Sequence, residues 1–570
     1  MSDVVTFRKA RGAFFTPPEI TRFIVDWAVR TRSDRVMEPS CGEAAFLLAA
    51  GRQLAALGLA PGELRARLHG IEIHRTSAER GLACLRRHEL DATVRVEDFF
   101  DCRPEPAFDA VIGNPPYIRY QQFTGDARLK SLEAALAAGV RLTGLASSWA
   151  AFVVHASQFL KPEGRLGLVL PAELLTVNYA AQVRRFLLNR FSRVRLVMFD
   201  NRVFPDVLEE VVLLLAEGSG GASSFEVFQA RDAGHLAGLA PCSWTGFDLG
   251  TVDKWTPALL SQSSFDIYRK LCDREVFSSM LDWGETYLGA VTGNNKYFTL
   301  GRTEIAQHGL PLEDLLPISP PGSRHLSGLK FASVAWQGMR DAGGRCFLFH
   351  PRGERPGPAA ARYIALGEQK KVHYAYKCRV RRPWWRVPLV ARPDLLFTYM
   401  NHDRPRLITN EAGVGVINSI YGVQLHPDRR TLGRELLPLA ALNSVTLLGA
   451  EMVGRAYGGG LLKLEPREAD QLPMPAPATV AALGPALTAL RPQLTTALRR
   501  NHLERAVALV DEVMLSQHLN ITGQDLTALR HARDLLFRRR ISRGRAMATP
   551  PIESAPAGNT ADDDGSHGEN

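Results

Sequence analysis

Paired cysteines are absent from this 570-residue chain. Its seven cysteines (Cys41, Cys84, Cys102, Cys242, Cys272, Cys346 and Cys378) stand singly, with no C-x-x-C. That argues against a disulfide framework and a zinc site, so no metal is expected, and it fits a reduced cytoplasm. No apolar run approaches the ~18 residues that a membrane span needs, and Met1–Arg11 lacks the apolar centre of a signal peptide. There is no internal repeat, no G-x-G-x-x-G phosphate loop and no convincing P-D…E-x-K nuclease pattern. Charge of neither sign dominates: 69 Lys+Arg against 59 Asp+Glu leave +10, which permits a polyanionic partner without requiring one. What is present is ordinary globular material, 45% hydrophobic and 22% charged, enough for two or three domains.

Short β-branched runs alternate with helical stretches over the first ~240 residues, the pattern of a doubly wound parallel α/β sheet. Strands are expected at Arg35–Glu38, Gly70–Ile73, Val94–Glu97, Phe108–Ile112, Gly167–Leu170, Val194–Phe199 and Val211–Leu215. The last two are joined only by a loop, so the sheet should end in an antiparallel pair. Seven such strands suit a class I methyltransferase better than a purely dinucleotide-binding fold. Gly218–Ser224 looks like a boundary. The expected organisation is a catalytic domain over 1–240, a mixed domain over 241–475, a helical segment over 476–545 and a disordered acidic tail over 546–570.

The strongest chemical signal is Asp109-Ala-Val-Ile-Gly-Asn-Pro-Pro-Tyr117, an apolar strand running into Asn114-Pro115-Pro116-Tyr117. Ligands of open parallel sheets sit at the carboxyl ends of strands. Two prolines stiffen the loop and remove two backbone donors, leaving the Asn114 side-chain oxygen and the Pro115 carbonyl as acceptors beside an aromatic ring. Such a corner suits an amino group on a flat conjugated system. Two acceptors binding its hydrogens favour a pyramidal nitrogen and free its lone pair, and preorganised dipoles of this kind contribute a few kcal/mol each. Tyr117 would stack on the ring for roughly 1–3 kcal/mol. A proline-stiffened turn with a half-buried tyrosine is the plain alternative.

With these residues the chain resembles the S-adenosylmethionine-dependent adenine-N6 DNA methyltransferases of restriction–modification systems, in the subgroup that places cofactor region, catalytic loop and target recognition in that order. The likeness is close over about Phe14–Glu217. It implies S-adenosyl-L-methionine as cofactor, double-stranded DNA as partner and Asn114, Pro115, Pro116 and Tyr117 as the catalytic loop. It implies cofactor contacts from Val36-Met-Glu-Pro-Ser-Cys-Gly42, with Glu38 for the ammonium and Ser40 and Gly42 in a tight turn, and from Glu72 (ribose) and Asp98 (adenine) at the next two strand ends. Thr16, in Phe14-Phe15-Thr16-Pro17-Pro18, would cap the first helix and close over the methionine part. Phe204, in Arg202-Val-Phe-Pro205, would lie on the far face of the target base.

Adenine in a duplex must be extruded to reach such a loop, which calls for a second module gripping phosphates and reading bases. Lys370–Arg386 (KKVHYAYKCRVRRPWWR) has seven basic residues, no acid and interleaved aromatics. Lys377, Arg379, Arg381, Arg382 and Arg386 are the expected DNA contacts. Thr292–Lys296 and Tyr457–Gly460 are further candidate DNA-facing loops. Arg533 and Arg538–Arg545 carry six arginines without an evident role. Alternatives remain open: transfer to a protein glutamine or an RNA base amino group, or a specificity subunit with a decayed catalytic fold. The expected form is a cytoplasmic monomer beside a separate restriction endonuclease.

Overall fold

The computed structural model describes residues 16–120, 122–199, 203–204, 210–238, 244–248, 254–273, 275–353 and 355–546. Phe14, Phe15, Arg202, Pro205, Cys242 and the acidic segment 547–570 lie outside the described residues.

Seven strands form where the apolar runs place them: β1 (Val36–Glu38), β2 (Leu68–Glu72), β3 (Thr93–Val96), β4 (Phe108–Gly113), β5 (Leu160–Pro171), β6 (Arg193–Phe199) and β7 (Val211–Glu217). Their spatial order is β3-β2-β1-β4-β5-β7-β6. β1 to β5 pair in parallel, and β7 is inserted antiparallel between β5 and β6. Helices cover both faces, so the central strands are continuous apolar runs; Val211 to Ala216 are all buried. The flanking helices include α1 (Pro18–Ala28), α2 (Ala45–Ala56), α3 (Arg75–Arg87), α4 (Gly125–Ala137), α5 (Ser148–Ser157) and α6 (Ala181–Arg190).

The sheet is two strands wider than the sequence suggests. β8 (Phe225–Ala230) pairs parallel with β6, and β9 (Thr245–Phe247) pairs antiparallel with β8. The glycines at 218–221 therefore turn the chain back into the same sheet. Gly218 and Gly220 adopt φ of +72° and +109°, where side chains are strained.

Beyond the sheet, the irregular stretch contains a four-stranded sheet built from Gly284–Leu288, Tyr421–Leu425, Leu395–Phe397 and Leu407–Thr409, and smaller three-stranded ones. Two local cores support it, one around Tyr297, Phe349, Tyr363 and Trp385, the other around Leu326, Phe331, Leu396 and Ile408. The helices do not follow this division. Phe265, Leu437, Leu448, Leu494, Val510 and Leu529 pack into the same core cluster as Leu168 of β5. Leu487, Leu494 and Leu498, on one face of Gly484–Arg499, are among its buried residues. Among the described residues no single helix is long and apolar enough to cross a membrane.

Candidate active site

Because β1 to β5 run in parallel, their carboxyl ends meet at one edge, and the residues singled out above lie there. Glu38 ends β1 and is 3% exposed. Its Oε2 accepts from the Leu47 amide at 3.1 Å, in the first turn of α2. Burial, aided by repulsion from Glu72, pushes the Glu38 carboxyl well above the usual range. Glu72 ends β2, and both its oxygens accept backbone amides, Oε2 from Gly42 at 2.8 Å and Oε1 from His74 at 2.9 Å. The Gly42 N–H is thus engaged by Glu72. Cys41 N donates to Ile71 O at 2.9 Å, stitching the turn to β2. Gly70 makes room for this, since a Cβ there would lie 2.9 Å from Cys41 Sγ. Asp98 follows β3 and accepts from Phe100 N at 3.0 Å, capping the short turn Phe99–Asp101. Ser40 is half-buried in the β1–α2 turn.

Gly42 adopts φ +50° with no heavy atom within 4 Å of where a Cβ would stand. Open space at Gly42, beside the Glu38 and Glu72 carboxyl groups and with Asp98 after the neighbouring strand, suits a ligand with a positive ammonium and sulfonium and with ribose hydroxyls to donate. These residues therefore fit S-adenosyl-L-methionine. Among the described residues no group of three or more His, Cys, Asp or Glu could hold a metal ion.

The catalytic loop begins beside this cradle. A Cβ on Gly113, the last residue of β4, would lie 3.6 Å from Glu38 Cγ. Asn114 is half-buried. Its Nδ2 donates to Thr16 Oγ1 at 3.1 Å, and its Oδ1 faces the Tyr117 hydroxyl at 2.6 Å. That hydroxyl also reaches Val169 O on β5 at 2.8 Å; with one proton for two acceptors, it donates to one at a time. The Pro115 carbonyl receives no hydrogen bond among the described residues. Ser148, at the start of α5, fixes the far side of the loop: Oγ donates to Pro116 O at 2.5 Å and accepts from Ile118 N at 2.9 Å.

Several expectations change. Thr16 does not cap α1; Pro17 occupies the cap position, and the Thr16 hydroxyl bonds Asn114 instead. Tyr117 and Phe204, expected as open stacking faces, are 7% and 4% exposed and belong to the main core. Their apolar rings pack against neighbouring side chains rather than stand in water. The basic stretch is short helical turns, Val372–Tyr374 and Tyr376–Arg379. Arg381 is not free for phosphate, because its guanidinium donates to Thr292 O at 2.9 Å and to Val291 O. Arg386 donates to Gly353 O and lies over Trp385. Lys377, Arg379 and Arg382 are exposed, the first two flanking the exposed Tyr376 ring. Thr292–Lys296 is largely structural: Asn294 caps Asn295–Phe298, and Gly293 packs on Cys378. Sequence reasoning missed Ser148, whose Ser147-Ser148 context signals only a helix start.

The fold and this site define a class I methyltransferase whose acceptor is a conjugated amine. Comparison with known proteins gives the acceptor. Residues 4–218 match the N-6 DNA Methylase family, and residues 252–515 match the family described as type II methyltransferase M.Eco57I, C-terminal domain. The type II methyltransferase M.XamI of Xanthomonas campestris pv. amaranthicola is 26% identical over 490 residues, covering 81% of this chain and 85% of that protein. M.AccI of Acinetobacter calcoaceticus is 21% identical over 480 residues with the same coverage. Among solved structures, the type IIL restriction-modification enzyme MmeI in complex with DNA shares the fold, with a TM-score of 0.54, 11% identity, and coverage of 92% of this chain and 75% of that one. This chain therefore has the adenine-N6 DNA methyltransferase architecture typical of restriction–modification modification subunits. It transfers a methyl group from S-adenosyl-L-methionine to adenine N6 in DNA as part of such a system.

Proposed function

We propose that the chain methylates an adenine flipped out of a specific duplex sequence, with Asn114 Oδ1 and Pro115 O accepting the two N6 hydrogens. The observation that carries this reading is the diproline corner at the end of β4, where Gly113, the residue before Asn114, lies beside Glu38 of the cofactor cradle. Bound S-adenosyl-L-methionine would supply an electrophilic methyl group for the N6 lone pair, and the N6 proton lost on transfer would pass to solvent. Asn114 and Pro115 pyramidalise the nitrogen, and Glu38, Ser40, Gly42, Glu72 and Asp98 hold the donor. Tyr117 and Phe204 stack on the extruded base once their buried rings are uncovered. Extrusion costs a few kcal/mol, offset by these rings and by contacts of the C-terminal module with DNA. Lys377, Arg379 and Arg382 supply phosphate contacts there. The enzyme acts as a cytoplasmic monomer, and a separate endonuclease cuts the same sequence when unmodified.

The test is incubation with labelled S-adenosylmethionine and plasmid DNA, followed by nucleoside analysis and long-read modification mapping. Wild type should yield N6-methyladenine at one sequence, and Asn114→Ala should yield none while binding cofactor and DNA. Wild-type rates from Asn114→Ala would remove the catalytic assignment.

A further inference from the structure

Asn114 reaches across 98 residues of sequence to Thr16, and this bond sets which end of its amide faces the acceptor position. The terminal torsion of an asparagine side chain is broad and roughly two-fold, so an unrestrained amide presents its NH2 as readily as its oxygen. An NH2 turned toward another amine opposes donor to donor. The Thr16 side chain is buried at 5% exposure, so little water competes for its hydroxyl, and it is not engaged in capping α1. Resting on the reading of Asn114 as the amine acceptor, we propose that Thr16 is a positioning residue for methyl transfer: its hydroxyl holds Asn114 Nδ2 and thereby fixes Oδ1 as the group the target amine meets.

The Tyr117 hydroxyl makes this hold necessary. It lies 2.6 Å from Asn114 Oδ1 and 2.8 Å from Val169 O, and has one proton to give. When an amine hydrogen bonds to Oδ1, the phenol O–H is free to turn to Val169 O and keep a hydrogen bond. In that arrangement Tyr117 does not restrain the amide, and Thr16 holds its nitrogen. Thr16 lies one residue before the cap of α1, so this bond joins the segment entering that helix to the catalytic loop. Thr16 should consequently govern the rate of transfer rather than the affinity for the donor, unlike a residue that contacts the cofactor.

The experiment uses the full chain and the variants Thr16→Val, Thr16→Ser and Asn114→Ala. Single-turnover methylation of a duplex carrying the mapped site is measured at saturating S-adenosylmethionine, with donor affinity by calorimetry. Thr16→Val keeps the shape and removes the hydroxyl. Its rate should fall about ten- to a hundred-fold, the usual effect of losing one orienting hydrogen bond at a reacting group, with donor affinity within about twofold of wild type. Thr16→Ser restores the hydroxyl and should return the rate to within about threefold. The proposal fails if Thr16→Val turns over at the wild-type rate, if its defect is a loss of donor affinity that saturation repairs, or if Thr16→Ser is as slow as Thr16→Val. Asn114→Ala separates the two levels. Inactive Asn114→Ala beside fully active Thr16→Val overturns only the role of Thr16, whereas active Asn114→Ala overturns the functional reading itself.

Discussion

Cofactor binding should release a proton from Glu38, and the affinity should rise with pH. The Glu38 side chain is held well above the ordinary carboxyl range, first by burial and then by Glu72, with the Leu47 and Phe46 amides partly compensating. A donor bearing an ammonium and a sulfonium favours the ionised form, lowering the value in the complex. Between the bound and the free values, each binding event therefore expels up to one proton. One proton corresponds to about 1.36 kcal/mol per pH unit, so Kd should fall by up to about tenfold per unit and level off above the free value. The stability of the cofactor-free protein should move the other way. Its folded Glu38 holds a proton that the unfolded chain has already lost, so this contribution falls as pH rises from the unfolded value toward the folded one. Calorimetric titration in two buffers of different ionisation heat, from about pH 5 to about pH 8, counts the protons directly. Glu38→Gln should bind more weakly, release no proton through this route and show a flatter profile. A Kd independent of pH in wild type, or equal proton release from Glu38→Gln, would refute the reasoning.

Three further outcomes are expected. Arg540 and Glu451 form a buried, two-pronged ion pair at 2.7 and 2.9 Å, so Arg540→Met, which strands the carboxylate, should cost about 3–5 kcal/mol in denaturant titration. Adding Glu451→Leu should recover much of it, and a double variant as unstable as the single would contradict the pairing. Neutralising Lys377, Arg379 and Arg382 together should flatten the salt dependence of DNA binding by roughly 0.9 for each phosphate left without its cation, whereas Arg381→Gln should lower Tm and leave the slope alone. The reverse pattern would exchange their roles. Ser148→Ala frees Pro116 O and Ile118 N from their clamp, and methylation should fall about tenfold at unchanged donor affinity. Undiminished activity would show the prolines alone to be stiff enough.

The sheet was legible because strands covered on both faces must be continuously apolar, and Val211 to Ala216 are such a run. The candidate site was legible because ligand groups collect where strands end: Glu38, Glu72, Asp98 and Asn114 each sit at or just beyond the carboxyl terminus of a parallel strand. What stayed hidden was direction. A sequence does not tell whether an aromatic after a diproline faces outward, and Tyr117 turns inward because Val169 O and Asn114 Oδ1 give its hydroxyl partners in the interior. Nor does it tell which of two neighbouring arginines is held by a distant loop. Arg381 is, at Thr292 and Val291, while Arg382 reaches only the adjacent Arg381 carbonyl and remains exposed. Ser148 and Thr16 act through partners 32 and 98 residues away, pairings that exist only once the strands are ordered.

The arginine-rich end of the chain carries the same distinction further. Arginines clustered at the end of a basic chain read as a polyanion contact, yet three of them are engaged by protein. Arg533 donates to Asp403 O at 3.1 Å. Arg539 donates to Phe199 O at 3.2 Å and to Glu210, the residues that end β6 and precede β7. Its neighbour Arg540 holds Glu451, His402 O and Gly460 O in the C-terminal module. Two successive residues of the helix Gly523–Ala546 thus grip the catalytic sheet on one side and the module on the other. A module meant to place one base in a pocket gains nothing from reading DNA if its distance from that pocket is free to vary. Guanidinium groups suit this fastening because their several fixed donors satisfy carbonyls and carboxylates together. Clustered arginine is therefore no measure of surface open to DNA, and among the described residues Lys377 and Arg379 are exposed cations beside the Tyr376 ring rather than fasteners of this kind.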